Sequence, residues 1–83
     1  MRGILDATGV HTLDGYTSRI TATVTLQSVA ANRAIEISTN GGDSFFTPVY
    51  DQELPGLLVV VIMAPVDAIR IKGAEGDVWD LLL

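Results

Sequence analysis

Apolar and polar residues alternate along most of this chain, and glycine-rich breaks separate the alternating runs. A period of two sends successive side chains to opposite faces of a strand, so the pattern predicts strands with one face turned inward. The cleanest run is SRITATVTLQSV, residues 18–29, with Ile20, Ala22, Val24 and Leu26 on one face and Thr21, Thr23, Thr25 and Gln27 on the other. It reads as a half-buried antiparallel strand. Its twelve residues would reach about 40 Å at about 3.3 Å each, twice an ordinary strand, so a bend or bulge is expected within it. The threonine face suits a solvated strand surface. It also suits docking on another protein or a glycan.

Residues 35–50, IEISTNGGDSFFTPVY, read as a hairpin around which the chain is organised. Ile35 and Ile37 alternate with polar neighbours. Asn40-Gly41-Gly42-Asp43 accepts the positive φ of a tight turn, and Phe45, Phe46, Val49 and Tyr50 favour a second strand. Phe45 and Phe46 are consecutive and must point to opposite faces, so that one can join the core while the other faces outward or into an interface. Pro48 lacks a ladder donor and suggests an edge there. With the preceding run, residues 18–50 predict a three-stranded meander. Residues 50–56, YDQELPG, read as a polar turn ending at Pro55-Gly56.

Residues 57–64, LLVVVIMA, break the alternation. Three consecutive valines between Gly56 and Pro65 favour strand over helix, and a strand apolar throughout is expected to be covered on both faces. Alternation resumes over 66–72, with Ile69 and Ile71 inward and Arg70 and Lys72 outward. A turn over 73–77 leads to VWDLLL, residues 78–83. There Trp79, Leu81 and Leu83 share one face and Val78 and Leu82 the other, with one face expected against a neighbouring subunit. Residues 1–17 are the least patterned and read as a short first strand with a turn at Asp14-Gly15, or as an arm ordered against a neighbour. No helical period of useful length occurs. The expected fold is all-β, a small antiparallel β-sandwich or flattened barrel of six or seven strands spanning residues 18–83.

Composition sharpens this picture at one point. A domain of 83 residues is marginal unless something staples it. Cysteine is absent, which removes disulfides and thiolate zinc sites, and one histidine, His11, makes no His-rich site. Yet 48% of the residues are hydrophobic and only 18% charged. Homo-oligomerisation is the staple this excess implies, and Phe46, Leu57, Val59, Val61, Trp79, Leu81 and Leu83 are the expected interface. The net charge is −5, and the basic residues Arg2, Arg19, Arg33, Arg70 and Lys72 are dispersed. That leaves no positive footprint for nucleic acid or an anionic membrane. Neither a secretion signal nor a spanning segment is visible, and a protein made in the cytoplasm is expected.

The search for chemistry returns little. A nucleophile such as Ser38 or Ser44 would need His11 as base and has no flanking elbow motif. Asp51 and Glu53 are the nearest carboxylate pair, with Asp43, Asp77 and Asp80 elsewhere, and all but Asp80 fall in or beside expected turns. Asp51-x-Glu53 could lend oxygens to calcium but lacks a full binding loop. Gly41-Gly42 and Gly73 to Gly76 lack the lysine and following helix of phosphate loops. No catalytic residue, metal or cofactor is assigned. The aromatics Tyr16, Phe45, Phe46, Tyr50 and Trp79 leave one alternative, a carbohydrate-binding or adhesion module that stacks sugars on outward rings.

IEISTNGGDSFFTPVYD followed by LLVVVIMAPVDAIRIKGAEGDVWDLL resembles small β-rich virion proteins of tailed bacteriophages, the head decoration (cement) proteins and modules of head fibres or tails. The likeness lies in a strand entering a Gly-Gly turn and an aromatic strand, then an Ala-Pro-Val step and an Ile-x-Ile-x-Gly strand. It spans residues 18–83. The resemblance implies a cysteine-free, non-enzymatic virion structural protein, often a homotrimer, that docks on the major capsid protein or another virion protein and stabilises the phage head. No catalytic residues come with it.

Overall fold

The computed structural model describes residues 1–14, 22–64 and 66–82. These form eight strands and no helix: β1 (Arg2–Ile4), β2 (Val10–Asp14), β3 (Ala22–Gln27), β4 (Ala34–Ser38), β5 (Gln52–Leu54), β6 (Leu57–Ile62), β7 (Ala68–Lys72) and β8 (Val78–Leu82). They make two antiparallel sheets, one of five strands in the order β1-β8-β3-β6-β5 and one of three in the order β2-β7-β4. The all-β class expected from the alternation is therefore the observed one.

The inward positions of the two sheets meet in one core. Val24, Leu26, Leu58, Val60, Ile62, Trp79 and Leu81 come from the larger sheet, and Leu13, Ile35, Ile69 and Ile71 from the smaller. Leu5 and Val66 join from the connections. Each such aliphatic side chain contributes about 1.5–3 kcal/mol on full burial. The expected facing of Ile69 and Ile71 inward, with Arg70 and Lys72 less buried, is what the structure has.

Several expectations are corrected. The run at 18–29 forms a strand over Ala22–Gln27, and its residues 18–21 lie outside the described ones. Residues 18–50 are not a meander. β3 pairs with β6 and β8, whereas β4 pairs with β7 in the other sheet. The crossing is made at 28–33, where Arg33 Nη1 donates to the Ser28 carbonyl at 2.9 Å and the Arg33 N–H to Ala30 at 3.2 Å. The hairpin at 35–50 has only its first limb as a strand. Gly41 and Gly42 do take positive φ, 75° and 91°, but the turn is a broad loop rather than a two-residue connection. Buried Ser38 donates through Oγ to Asn40 Oδ1 (2.8 Å) and accepts from the Gly42 N–H (3.0 Å), while Asn40 binds Ser44 at both ends of its amide. These local bonds compete with the ladder.

Beyond that loop the second limb touches β4 at one bridge, Ile37 with Phe46. The Tyr50 hydroxyl then accepts the Ile35 N–H at 3.2 Å. The outer edge of β4 is thereby capped without a strand. Neither Phe45 nor Phe46 joins the buried core, although the alternation left room for one of them there. Residues 50–56 are more than a turn. They contain β5, which pairs with β6 across Pro55-Gly56. Residues 1–14 supply two strands where one was expected, and the proposed turn residue Gly15 lies outside the described ones.

Candidate docking surface

The outer face of the five-stranded sheet is where the sequence and the fold disagree with ordinary solvation. Register sets its side chains in three rows. Leu82, Thr23 and Val61 stand opposite one another in the first. Arg2, Asp80, Thr25, Val59 and Gln52 form the second, and Ile4, Val78, Gln27, Leu57 and Leu54 the third. A sheet face turned to water normally carries polar residues. Here Ile4 is 68%, Leu82 60%, Leu54 46% and Val61 37% exposed, with Leu57, Val59 and Val78 half-buried beside them. Polar groups are confined to the strip of β3 (Thr23, Thr25, Gln27), to Gln52 and to one ion pair.

That ion pair is Arg2 with Asp80, held through Nε at 2.8 Å and through Nη2 at 3.2 Å. The two-pronged guanidinium bond lowers the Asp80 carboxyl from its usual range and raises Arg2 in turn. Charge within the three rows therefore cancels.

Where β5 stops, Asp51 closes the backbone of β6. Asp51 donates its N–H to the Val59 carbonyl at 2.8 Å, beside the Gln52–Val59 pair, so two residues oppose one as in a β-bulge. Its carboxylate accepts the Val61 N–H at 2.6 Å. Asp51 thus ends the ladder where β5 stops.

The interface residues expected from the sequence divide. Leu57, Val59 and Val61 stand together on this outer face. Trp79 and Leu81 are 3% and 2% exposed and belong to the protein's own core, because β8 turns those two inward and Leu82 outward. Phe46 is half exposed but sits on the edge of the other sheet, at the bridge to Ile37. Leu83 lies outside the described residues. The strand β6, expected to be covered on both faces, is covered on one by this chain. Sequence reasoning missed Ile4, Leu54, Val78 and Leu82. The parity of β8 separates Leu82 from Trp79 and Leu81, but with apolar residues on both sides it does not say which face is outward.

Several of the side chains considered for chemistry are held in structural contacts. His11 stacks on Trp79, with ring centroids 4.9 Å apart and 20° between planes. Ser38 and Ser44 hold the Asn40 loop. Asp67 accepts the Gly41 N–H at 3.0 Å and Asp77 the Ala74 N–H at 2.8 Å. Asp6 is held below the usual carboxylate range by the Thr8 hydroxyl and N–H. On the outer face of the smaller sheet, Glu36 Oε1 accepts from Arg70 Nε at 2.8 Å and lies 3.3 Å from Lys72 Nζ. The Arg70 guanidinium sits 4.1 Å over the Phe45 ring. No group of three or more His, Cys, Asp or Glu among the described residues is placed to hold a metal ion.

Comparison of the chain with protein-family models, curated proteins and solved structures gives no match.

Proposed function

We propose that this chain is a non-enzymatic structural protein that works by assembly, a homo-oligomeric capsid decoration protein of a tailed-phage head. The observation that carries the reading is the apolar outer face of the five-stranded sheet. A sheet face of this make-up gains by being covered, at about 25 cal/mol for each Å² of apolar surface removed from water. Ser38, Ser44, Asp51, Asp77 and Asp80 are engaged in turns, a strand end and an ion pair, which supports a structural role. The virion setting rests on the resemblance of residues 18–83 to phage head proteins. In that setting the protein bridges neighbouring shell subunits, and binding to the assembled lattice stabilises it by mass action.

The adhesion alternative is weaker. Trp79 is buried, the Tyr50 hydroxyl is bonded to Ile35, Phe45 is half-buried beneath Arg70, and Phe46 remains as a lone exposed ring among the described aromatics. A sugar platform draws on adjacent exposed faces.

Mass spectrometry and immunogold electron microscopy of purified virions from the source of this sequence test the proposal. The protein is expected in many copies on the head. Its absence from intact particles would overturn the virion reading.

A further inference from the structure

Resting on the assembly reading, we infer that the outer face of the five-stranded sheet mates with the same face of a second copy of this chain, about a two-fold axis passing near Thr25. The partner is argued from charge, hydrogen-bonding chemistry and area.

The chain carries a net charge of −5, so two copies repel over most of their surface. The three rows of this face hold Arg2 and Asp80 as their only charges, and these neutralise each other. It is therefore a place where two like-charged molecules can meet at little electrostatic cost.

The polar strip of Thr23, Thr25 and Gln27 lies on β3, the central strand of the five. Each of these side chains both donates and accepts hydrogen bonds. An identical strip on the second copy can then satisfy it across a two-fold axis, where residue i meets j and j meets i. A strip of like charges could not do this. Apolar residues flank the strip on both sides: Leu82, Val78 and Ile4 toward β1, and Val61, Val59, Leu57 and Leu54 toward β5. That arrangement resembles two inner sheet faces of a sandwich, which pack about 10 Å apart at about −30°.

Three strands of five or six residues and two of three give a flat footprint of roughly 350 Å² per copy at about 4.8 Å between strands and 3.3 Å per residue. Side-chain relief enlarges it, so two copies together reach on the order of 1,000 Å², the lower bound for a specific interface. The expected dimer is accordingly reversible, with a dissociation constant on the order of micromolar.

Sedimentation velocity of the full chain, from about 1 to about 100 μM, tests this. Dimerisation with concentration is expected for the native sequence and for Phe46→Asp, which lies off the face. Val61→Asp places a carboxylate on each side of the contact and is expected to weaken dimerisation on the order of a hundredfold. Leu82→Glu sits at an already exposed position, so it keeps the test valid should Val61→Asp fail to fold by circular dichroism. Its dimer is expected to weaken at least tenfold. A native chain that stays monomeric, a trimer of the kind the phage resemblance implies, or face variants that dimerise like the native chain would each overturn the two-fold contact. A monomer found on virions overturns this inference alone, and a dimer absent from virions overturns the virion reading alone.

Discussion

Trp79 is 3% exposed on β8, opposite Gly3 of β1. Its ring lies directly over Gly3 on β1. A Cβ built on Gly3 would stand 2.4 Å from Cζ2 and 2.5 Å from Cε2 of the indole. Gly3 does not take a positive φ, so the requirement for glycine is one of space. His11 covers the ring from the other sheet, and the indole N–H is buried with no hydrogen-bond partner among the described residues. Gly3→Ala must displace either β1 or the indole. It is expected to cost about 1–3 kcal/mol, which lowers the melting temperature by about 4–8 °C per kcal/mol in a domain this small. Gly56→Ala has open space around it and is expected to stay within about 0.5 kcal/mol. Thermal unfolding of both variants checks the pair, and equal effects would sink the steric account. The alternation of VWDLL marks Trp79 and Leu81 as sharing a face. It does not say which face is inward, because a strand apolar on both sides fits either choice. Closeness to Gly3 decides it, and that contact lies seventy-six positions away in the chain (79 − 3).

At the scale of the element, β7 and β4 were the most legible parts and the limb after β4 the least. Ile35, Ile37, Ile69 and Ile71 alternate with polar residues, and each strand lies where its alternation predicts. FFTPVY has high strand preference yet makes one bridge, because Pro48 has no donor and the Ser38 and Asn40 side chains hold the loop open. Propensity spoke for a strand, and side-chain hydrogen bonding prevailed.

The β4–β7 pair also carries a pH-dependent contribution. Burial works to raise Glu36, but the hydrogen bonds from Arg70 and Lys72 together outweigh it and hold the carboxyl below its ordinary value of 4.5. A depressed carboxyl stabilises the fold above its unfolded value, and that contribution is lost as pH falls through the folded one. Glu36→Gln is therefore expected to lose about 0.5–1 kcal/mol near neutral pH and to match the native chain near about pH 3. Urea midpoints at the two pH values measure the difference. A gap between the two proteins that persists in acid would contradict the assignment.

For the whole molecule, the decisive fact is that β1 pairs with β8 and so joins the two ends of this sequence. Arg2, Gly3 and Ile4 face Asp80, Trp79 and Val78. The ladder continues on both sides: Leu81 donates to the Met1 carbonyl at 2.7 Å, Leu5 to Asp77 at 2.8 Å and Gly76 to Leu5 at 2.9 Å. None of this was legible. Periodicity reports which face a residue takes, not which distant strand it meets, and MRGILDATG is too short and glycine-broken to show a period. The sequence allowed a strand or an arm there, and the two make opposite predictions. An arm could be removed with little effect on unfolding. The strand cannot, because Leu5 is 2% exposed in the core and Gly3 lies against Trp79. Truncating a buried leucine alone costs about 2–5 kcal/mol, a large share of what an 83-residue domain can hold in reserve. Deleting residues 1–5 is therefore expected to abolish the cooperative urea transition at a protein concentration where the full chain shows one. Leu5→Ala should retain a transition shifted by about 2–5 kcal/mol, and because Leu5 faces the core, that shift does not depend on association through the outer face. An unchanged midpoint in the deletion would make residues 1–5 an arm after all.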